Sequence, residues 1–375
     1  MINIVYGTRA ELIKFSPLIR ELDRRRVNFR TIDLGQHDNK SLHRALRIPE
    51  PDRHLGKSSR VAWSKLEALP VTYPFAVIMA MVWGVKVFFS ISSIIKDGDV
   101  VVTHGNTMGV PPTIMATKIN GVLGKNHRTV HFESGFRGGT KSSRLLDVFY
   151  RFADRHSDVL FTPFRSTEKK LRSEGMRGKI ILSGDVVKDV VKQTLKIKPG
   201  IKIPTGSYVV VNITRSIVNK FDARHLVEAL RDSPLDIVLI TNPVIEKRLE
   251  KFRLDKLLIA PNIKKMMPMD YPDFLHLVKG SVGVVTDSGG LQEECLVMRK
   301  PCIVTNDYLQ INELRDFGVV KMTGCNYSGI ISGLNKIRDG RWKLVNIPTS
   351  AGSPTKKIAD YLIMMEKNTG RIGRK

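Results

Sequence analysis

Short β-branched runs alternate with longer mixed segments along most of this chain, and that alternation leaves few folds open to it. It is the pattern of βαβ units, in which parallel strands lie buried beneath helices on both faces of a sheet. A first series of strands is expected at Ile2 to Tyr6, Thr31 to Leu34, Asp99 to Thr103, Thr129 to Phe132 and Val159 to Thr162. A second restarts at Tyr208 to Asn212, Asp236 to Ile240, Leu257 to Ala260, Val282 to Thr286 and Cys302 to Thr305. Between the two lies residues 196–206, rich in Pro, Gly and Lys, and a chain of 375 residues is longer than one core usually fills. The expectation is therefore an α/β protein of two parallel-sheet domains, residues 1–195 and 196–350. Ligands would bind in the cleft where the carboxyl ends of the two sheets face each other.

Charge narrows the partners only by sign. Lys and Arg number 61 against 36 Asp and Glu, a formal charge of +25, so the surface attracts anions, whether nucleotide phosphates, nucleic acid or anionic membrane. No zinc knuckle, RNA-binding aromatic motif or compact basic recognition helix is present, so no specific nucleic-acid partner is expected. Cys295, Cys302 and Cys325 have no CxxC spacing, which suggests neither a zinc site nor a disulfide framework and fits a reducing, cytoplasmic setting. The chain opens directly on a strand pattern, with no basic leader and no cleavage site, so export is not expected. Tyr73 to Ile95 carries a single charge, Lys86, but is diluted by Pro74, Gly84 and a serine cluster. A helix buried in or between domains, a helix lying on the inner face of a membrane, and a true span all remain open for it. The basic, polar residues 367–375 are expected to be disordered.

Three motifs carry chemistry. Gly7-Thr8-Arg9-Ala10-Glu11-Leu12-Ile13-Lys14 is a glycine turn feeding a helix, where free amides beside Arg9 would suit a phosphate. An ordinary capped helix start, with Thr8 as N-cap and Glu11 completing a capping box, explains it equally well. Asp287-Ser288-Gly289-Gly290-Leu291-Gln292-Glu293-Glu294 follows a strand, so that two glycines allow close approach, Ser288 and the helix-start amides can hold a diphosphate, and Glu294 can grip ribose hydroxyls. His104-Gly105-Asn106-Thr107 and His131-Phe132-Glu133-Ser134-Gly135-Phe136-Arg137 each follow a strand, and His104, Asn106, His131, Glu133 and Arg137 are expected to converge on one crevice. Asp147 and Arg151, one turn apart on a helix, form a charge pair, a ligand clamp or both.

Taken in order, these motifs, together with Gly184-Asp185-x-x-x-Asp189 and fainter echoes at Gly35-Gln36-His37 and Pro268-Met269-Asp270-Tyr271-x-x-Phe274, resemble the non-hydrolysing UDP-N-acetylglucosamine 2-epimerases. The resemblance runs from residue 2 to about residue 324. It implies two Rossmann-like, doubly wound domains of the kind found in many glycosyltransferases (GT-B-like), with a last helix at Lys356 to Glu366, within residues 351–366, returning to the first domain. It implies inversion of sugar carbon 2 by removal of its proton, expulsion of UDP and re-addition from the other side. Such chemistry needs acid/base groups near both faces of that carbon and cations or amides for the leaving diphosphate. On the matching positions, Arg9, Lys14, Ser288, Gly289 and Gly290 would serve the diphosphate and Glu294 the ribose. Tyr271, Phe274, Arg137, Arg151 and Arg215 would complete the UDP-sugar pocket, and Glu133 and Asp147 would supply carboxylates. A homodimer is also implied, and no metal or nicotinamide cofactor.

Two departures fall on the catalytic set. Asn106 stands where the family has Asp, and an amide cannot take up a proton as a carboxylate can. Thr214 stands where the family has a functional His, and it has no titration near neutral pH. Glycosyl transfer or hydrolysis at a membrane surface, and non-catalytic nucleotide-sugar binding, are the competing readings.

Overall fold

The computed structural model of the protein describes residues 1–56, 74–137, 144–214, 217, 219–307, 309, 311–345 and 352–372. These divide into two compact units, residues 1–190 with 350–375, and residues 191–349. In chain order the first unit runs β1 (Ile2–Tyr6), α1 (Arg9–Arg24), β2 (Phe29–Asp33), α2 (Lys40–Leu46), β3 (Arg53–His54), α3 (Pro74–Ile94), β4 (Val100–His104), α4 (Val110–Val122), β5 (Arg128–Phe132), α5 (Arg144–His156), β6 (Val159–Thr162), α6 (Arg165–Ser173) and β7 (Lys179–Leu182), and α7 (Val187–Thr194) crosses the boundary between the units. The second holds β8 (Tyr208–Asn212), α8 (Lys220–Arg231), β9 (Asp236–Ile240), α9 (Pro243–Phe252), β10 (Ile263–Met266), α10 (Tyr271–Gly280), β11 (Gly283–Thr286), α11 (Gly289–Met298), β12 (Cys302–Val304), α12 (Glu313–Asp316), β13 (Val320–Met322) and α13 (Tyr327–Arg338). A final helix, α14 (Pro354–Ile372), belongs again to the first unit.

Both sheets are parallel, with strand orders β3-β2-β1-β4-β5-β6-β7 and β10-β9-β8-β11-β12-β13. Crossovers between parallel strands are right-handed, so the reversal of order at β1 puts α1 and α2 on one face of the first sheet and α3 to α6 on the other. The central strands are fully buried, as two-sided burial of a parallel sheet requires. In the second unit Val209, Val211, Ile237, Leu239 and Val285 face α8, α9 and α13 through Leu226, Leu230, Ile245, Leu249 and Leu334. The α/β class and the two parallel sheets expected from the sequence are both present.

Two expectations are corrected. The segment Leu257 to Ala260 is no strand: a 3-10 turn at Asp255–Leu258 buries Leu258, and the edge strand comes after it at Ile263–Met266. Residues 367–372, expected to be disordered, continue α14. Residues 373–375 lie outside the described residues.

The apolar stretch is α3, with Tyr73 and the side chains of residues 74–77 outside the described residues. Its Val87 and Ile91, with Trp83 and Phe88 beside them, pack on Val5, Ile32, Leu34 and Val101 of the sheet. The opposite stripe, Ile78, Met81, Val82, Val85 and Phe89, is exposed, with Phe89 65% accessible. Alongside it α4 presents Met115, Ile119 and Val122, with Leu123 just past its end. No helix among the described residues is long and apolar enough to cross a membrane, and the inner face of α3 is packed on the sheet.

Candidate functional site

In the first unit the loops after β1, β4 and β5 leave adjacent strands at the same edge of the sheet. The β1 loop is the capped helix start that its sequence allows. Thr8 Oγ1 accepts from Glu11 N at 3.3 Å, and Glu11 Oε2 accepts from Gly7 N at 2.9 Å and Thr8 N at 2.8 Å. Its other oxygen accepts from Thr107 Oγ1 at 2.7 Å, so one buried carboxylate ties the β1 loop to the β4 loop. Burial pushes the Glu11 carboxyl above the usual range, against the pull of these three donors and of the Thr8 hydroxyl, which donates to Oε2 at 2.9 Å. Thr107 is a partner that motif reading alone did not reveal. Arg9 lies at the start of α1, its guanidinium 3.4 Å from Ser41 Oγ and its backbone N–H on His37 Nδ1.

Glu133 directly follows β5 with φ of 55°, the left-handed region that a non-glycine residue adopts at some cost in energy. That turn presents its carboxylate to Lys14 of α1, with which it forms an ion pair, and to His104 Nε2 at 3.5 Å. All three side chains are nearly buried, with Lys14 and Glu133 only 12% and 10% exposed. Burial, followed by the charges of Lys14 and His131, lowers the pKa of His104 well below the ordinary value, so its ring is neutral. Gly105 lies against the same carboxylate, with Glu133 Oε2 3.6 Å from where its Cβ would stand. Asn106, half-buried, follows it.

The expected convergence is therefore partial. His131 points elsewhere: its Nδ1 meets Thr103 Oγ1 at 3.0 Å inside the sheet, and burial with the nearby Arg137 charge lowers its pKa to about 3. Arg137 is drawn back beneath the β5 loop, 2.7 Å from Asp154 and bonded through Nε to Glu174 at 3.2 Å. Glu174 also holds Arg151 at 3.3 Å. Asp147 sits half-buried in the first turn of α5. Asp154 and Glu174 are charges that no motif announces, because they come from α5 and from just past α6.

In the second unit the loops after β8, β11 and β12 leave three adjacent strands. Ser288 caps α11, Gly289 and Gly290 open it, and no atom lies within 4 Å of where a Gly290 Cβ would stand. Thr214 donates through both its backbone N–H (2.8 Å) and its hydroxyl (2.9 Å) to Asp287 Oδ1. Tyr271, the first residue of α10, donates its buried phenol to Glu294 Oε1 at 2.7 Å, and burial beside that carboxylate raises the tyrosine pKa well above its ordinary value. Phe274 is half-buried one turn further along α10. Arg215 lies outside the described residues. Among the described residues no group of three His, Cys, Asp or Glu side chains could hold a metal ion.

The chain is 26% identical over 370 residues to a UDP-N-acetylglucosamine 2-epimerase of Methanocaldococcus jannaschii, covering 91% of this chain and 94% of that one. It is 25% identical over 408 residues to the UDP-N-acetylglucosamine 2-epimerase of Campylobacter jejuni, covering 98% of each. Its fold matches the crystal structure of the M. jannaschii UDP-GlcNAc 2-epimerase in complex with UDP-GlcNAc and UDP, with a TM-score of 0.78, 24% identity, and 97% and 99% of the two chains covered. The family model for UDP-N-acetylglucosamine 2-epimerase matches residues 20–362. This chain belongs to the UDP-N-acetylglucosamine 2-epimerase family.

Proposed function

We propose that the protein interconverts UDP-N-acetylglucosamine and UDP-N-acetylmannosamine by eliminating and re-adding UDP. One observation carries this reading: Glu133, held in a left-handed turn at a strand end, is nearly buried against a cation and a neutral imidazole. A carboxylate so placed is suited to take a proton from a carbon acid, and Lys14 beside it can balance developing negative charge. Ser288, Gly289 and Gly290 at the start of α11 offer amides for the diphosphate, as helix starts do in nucleotide-binding folds. Arg9 and the Tyr271, Phe274 and Glu294 group are assigned to the rest of the UDP-sugar, with Arg215, and Asp147 to a second carboxylate. Arg137 and Arg151, engaged by Asp154 and Glu174, are assigned to the floor of the sugar pocket. A relative solved with UDP-GlcNAc and UDP supports the substrate class.

Asn106 leaves proton transfer to fewer groups, so a turnover limited by re-protonation is expected. The reading places the enzyme in the cytoplasm and as a homodimer that buries the exposed α3 and α4 stripes. An anionic membrane is the rival occupant of that face. Proton NMR of UDP-N-acetylglucosamine incubated with the enzyme tests the activity: a UDP-N-acetylmannosamine signal is expected, absent with Glu133→Gln. Unchanged substrate at enzyme concentrations that bind UDP would refute it.

A further inference from the structure

Thr214 stands where the resemblance expects a functional His, yet its surroundings give it another task. Register pairs Asn212 of β8 with Thr286 of β11, so Thr214 and Asp287 leave adjacent strands side by side. Thr214 is exposed, and Asp287 beneath it is 7% accessible. Both donors of Thr214 converge on Asp287 Oδ1. The neighbouring strand ends are stitched to the same loop: Asn306 Nδ2 donates to the Asp287 carbonyl at 2.7 Å, Ser288 N–H to Thr286 Oγ1 at 3.0 Å, and Thr286 Oγ1 to the Asn212 carbonyl at 2.7 Å. With its hydrogen directed at a carboxylate, the Thr214 hydroxyl is committed as a donor and is a poor proton carrier.

A carboxylate immediately before a helix start that is to receive a diphosphate is a liability, because like charges repel. Two hydrogen bonds onto a single oxygen draw its charge away from the loop and fix the direction of the carboxylate. We infer that Thr214 is a positioning residue for nucleoside diphosphate, acting by holding and screening Asp287 beneath Ser288, Gly289 and Gly290. This inference rests on the reading of that loop as the diphosphate site.

The test is titration of the full-length protein and its variants with UDP at constant salt, together with steady-state kinetics. Thr214→Val is expected to weaken UDP binding about tenfold, the scale of a lost charge-assisted hydrogen bond. Because Thr214 is exposed, the variant should fold, which circular dichroism and thermal melting will verify. Thr214→Ser, which keeps both donors, should bind within about threefold of the parent. In an Asp287→Asn background, where there is no charge to screen, Thr214→Val should cost less than about threefold. The catalytic rate at saturating substrate should fall by less than about threefold while KM rises. Wild-type affinity in Thr214→Val, an equal loss with Asp287→Asn present, or a loss confined to kcat would overturn the inference. Failure of the wild-type protein itself to bind UDP would instead overturn the reading of the loop.

Discussion

Glu133 shows how one residue's backbone sets up its chemistry. Most non-glycine residues avoid φ near 55°, and here that conformation turns the carboxylate out of the strand direction and onto Lys14 and His104. Asp154, buried under the same loop, illustrates the reverse of a free acid/base group. Arg137 and the Gly135 amide favour its charge, but burial outweighs them and raises its pKa to about 6, while its Oδ1 has no hydrogen-bond partner among the described residues. A carboxyl with a raised folded pKa makes folding take up a proton, so its contribution is complete below about pH 4 and is lost as pH rises through 6. The magnitude is about 3 kcal/mol by the shift alone. Glu11 pulls in the same direction, so the comparison must be with a variant. In Asp154→Asn, urea unfolding from pH 4 to 7 should show a stability curve with less downward slope in that window. An unchanged slope would show that Asp154 keeps the same proton affinity folded and unfolded.

At the scale of elements, the start of α1 serves structure before it serves any ligand. Glu11 accepts from both chain ends of its loop and from Thr107, so it fixes the β4 loop that carries Asn106. Glu11→Gln would turn an amide toward Gly7 and Thr8 donors, and a loss of about 1–3 kcal/mol is expected, read as a lower melting temperature. Stability equal to the parent would mean the tie is dispensable. The central strands were legible in the sequence because two-sided burial demands long apolar β-branched runs. The four edge strands, β3, β7, β10 and β13, were not. Each is paired on one side only and is short or polar, as in Lys264 and Lys265 of β10, so neither the length nor the period of a strand is written there. The site divides the same way. Motifs at strand ends located Lys14, Glu133, Thr214 and Ser288, whereas Asp154, Glu174 and the Thr107 link depend on contacts between distant segments that no local spacing encodes.

At the scale of the molecule, nine of the sixteen large exposed apolar side chains among the described residues lie on α3, on α4 or just past the end of α4. Ile78, Met81, Val82, Val85 and Phe89 of α3 lie beside Met115, Ile119 and Val122 of α4, and the proposed homodimer would bury this patch. Val85→Ser with Phe89→Ser, both exposed, should leave the fold intact and shift the protein toward monomer in sedimentation. A parent already monomeric at micromolar concentration would contradict the homodimer, and salt-sensitive binding to anionic vesicles would then reassign the face to membrane. Trp83 and Phe88 of α3 pack against the first sheet and are not part of this patch.

The central claim is that this chain, despite Asn106 and Thr214, removes and restores the proton at carbon 2 of its substrate. Incubation of the purified protein with UDP-N-acetylglucosamine in heavy water, followed by proton NMR and mass spectrometry, tests it most directly. Deuterium at carbon 2, with UDP-N-acetylmannosamine formed by the parent and exchange at least about 10²-fold slower in Glu133→Gln, is the predicted result. Substrate returned with its original proton and configuration by a protein that binds UDP would contradict it.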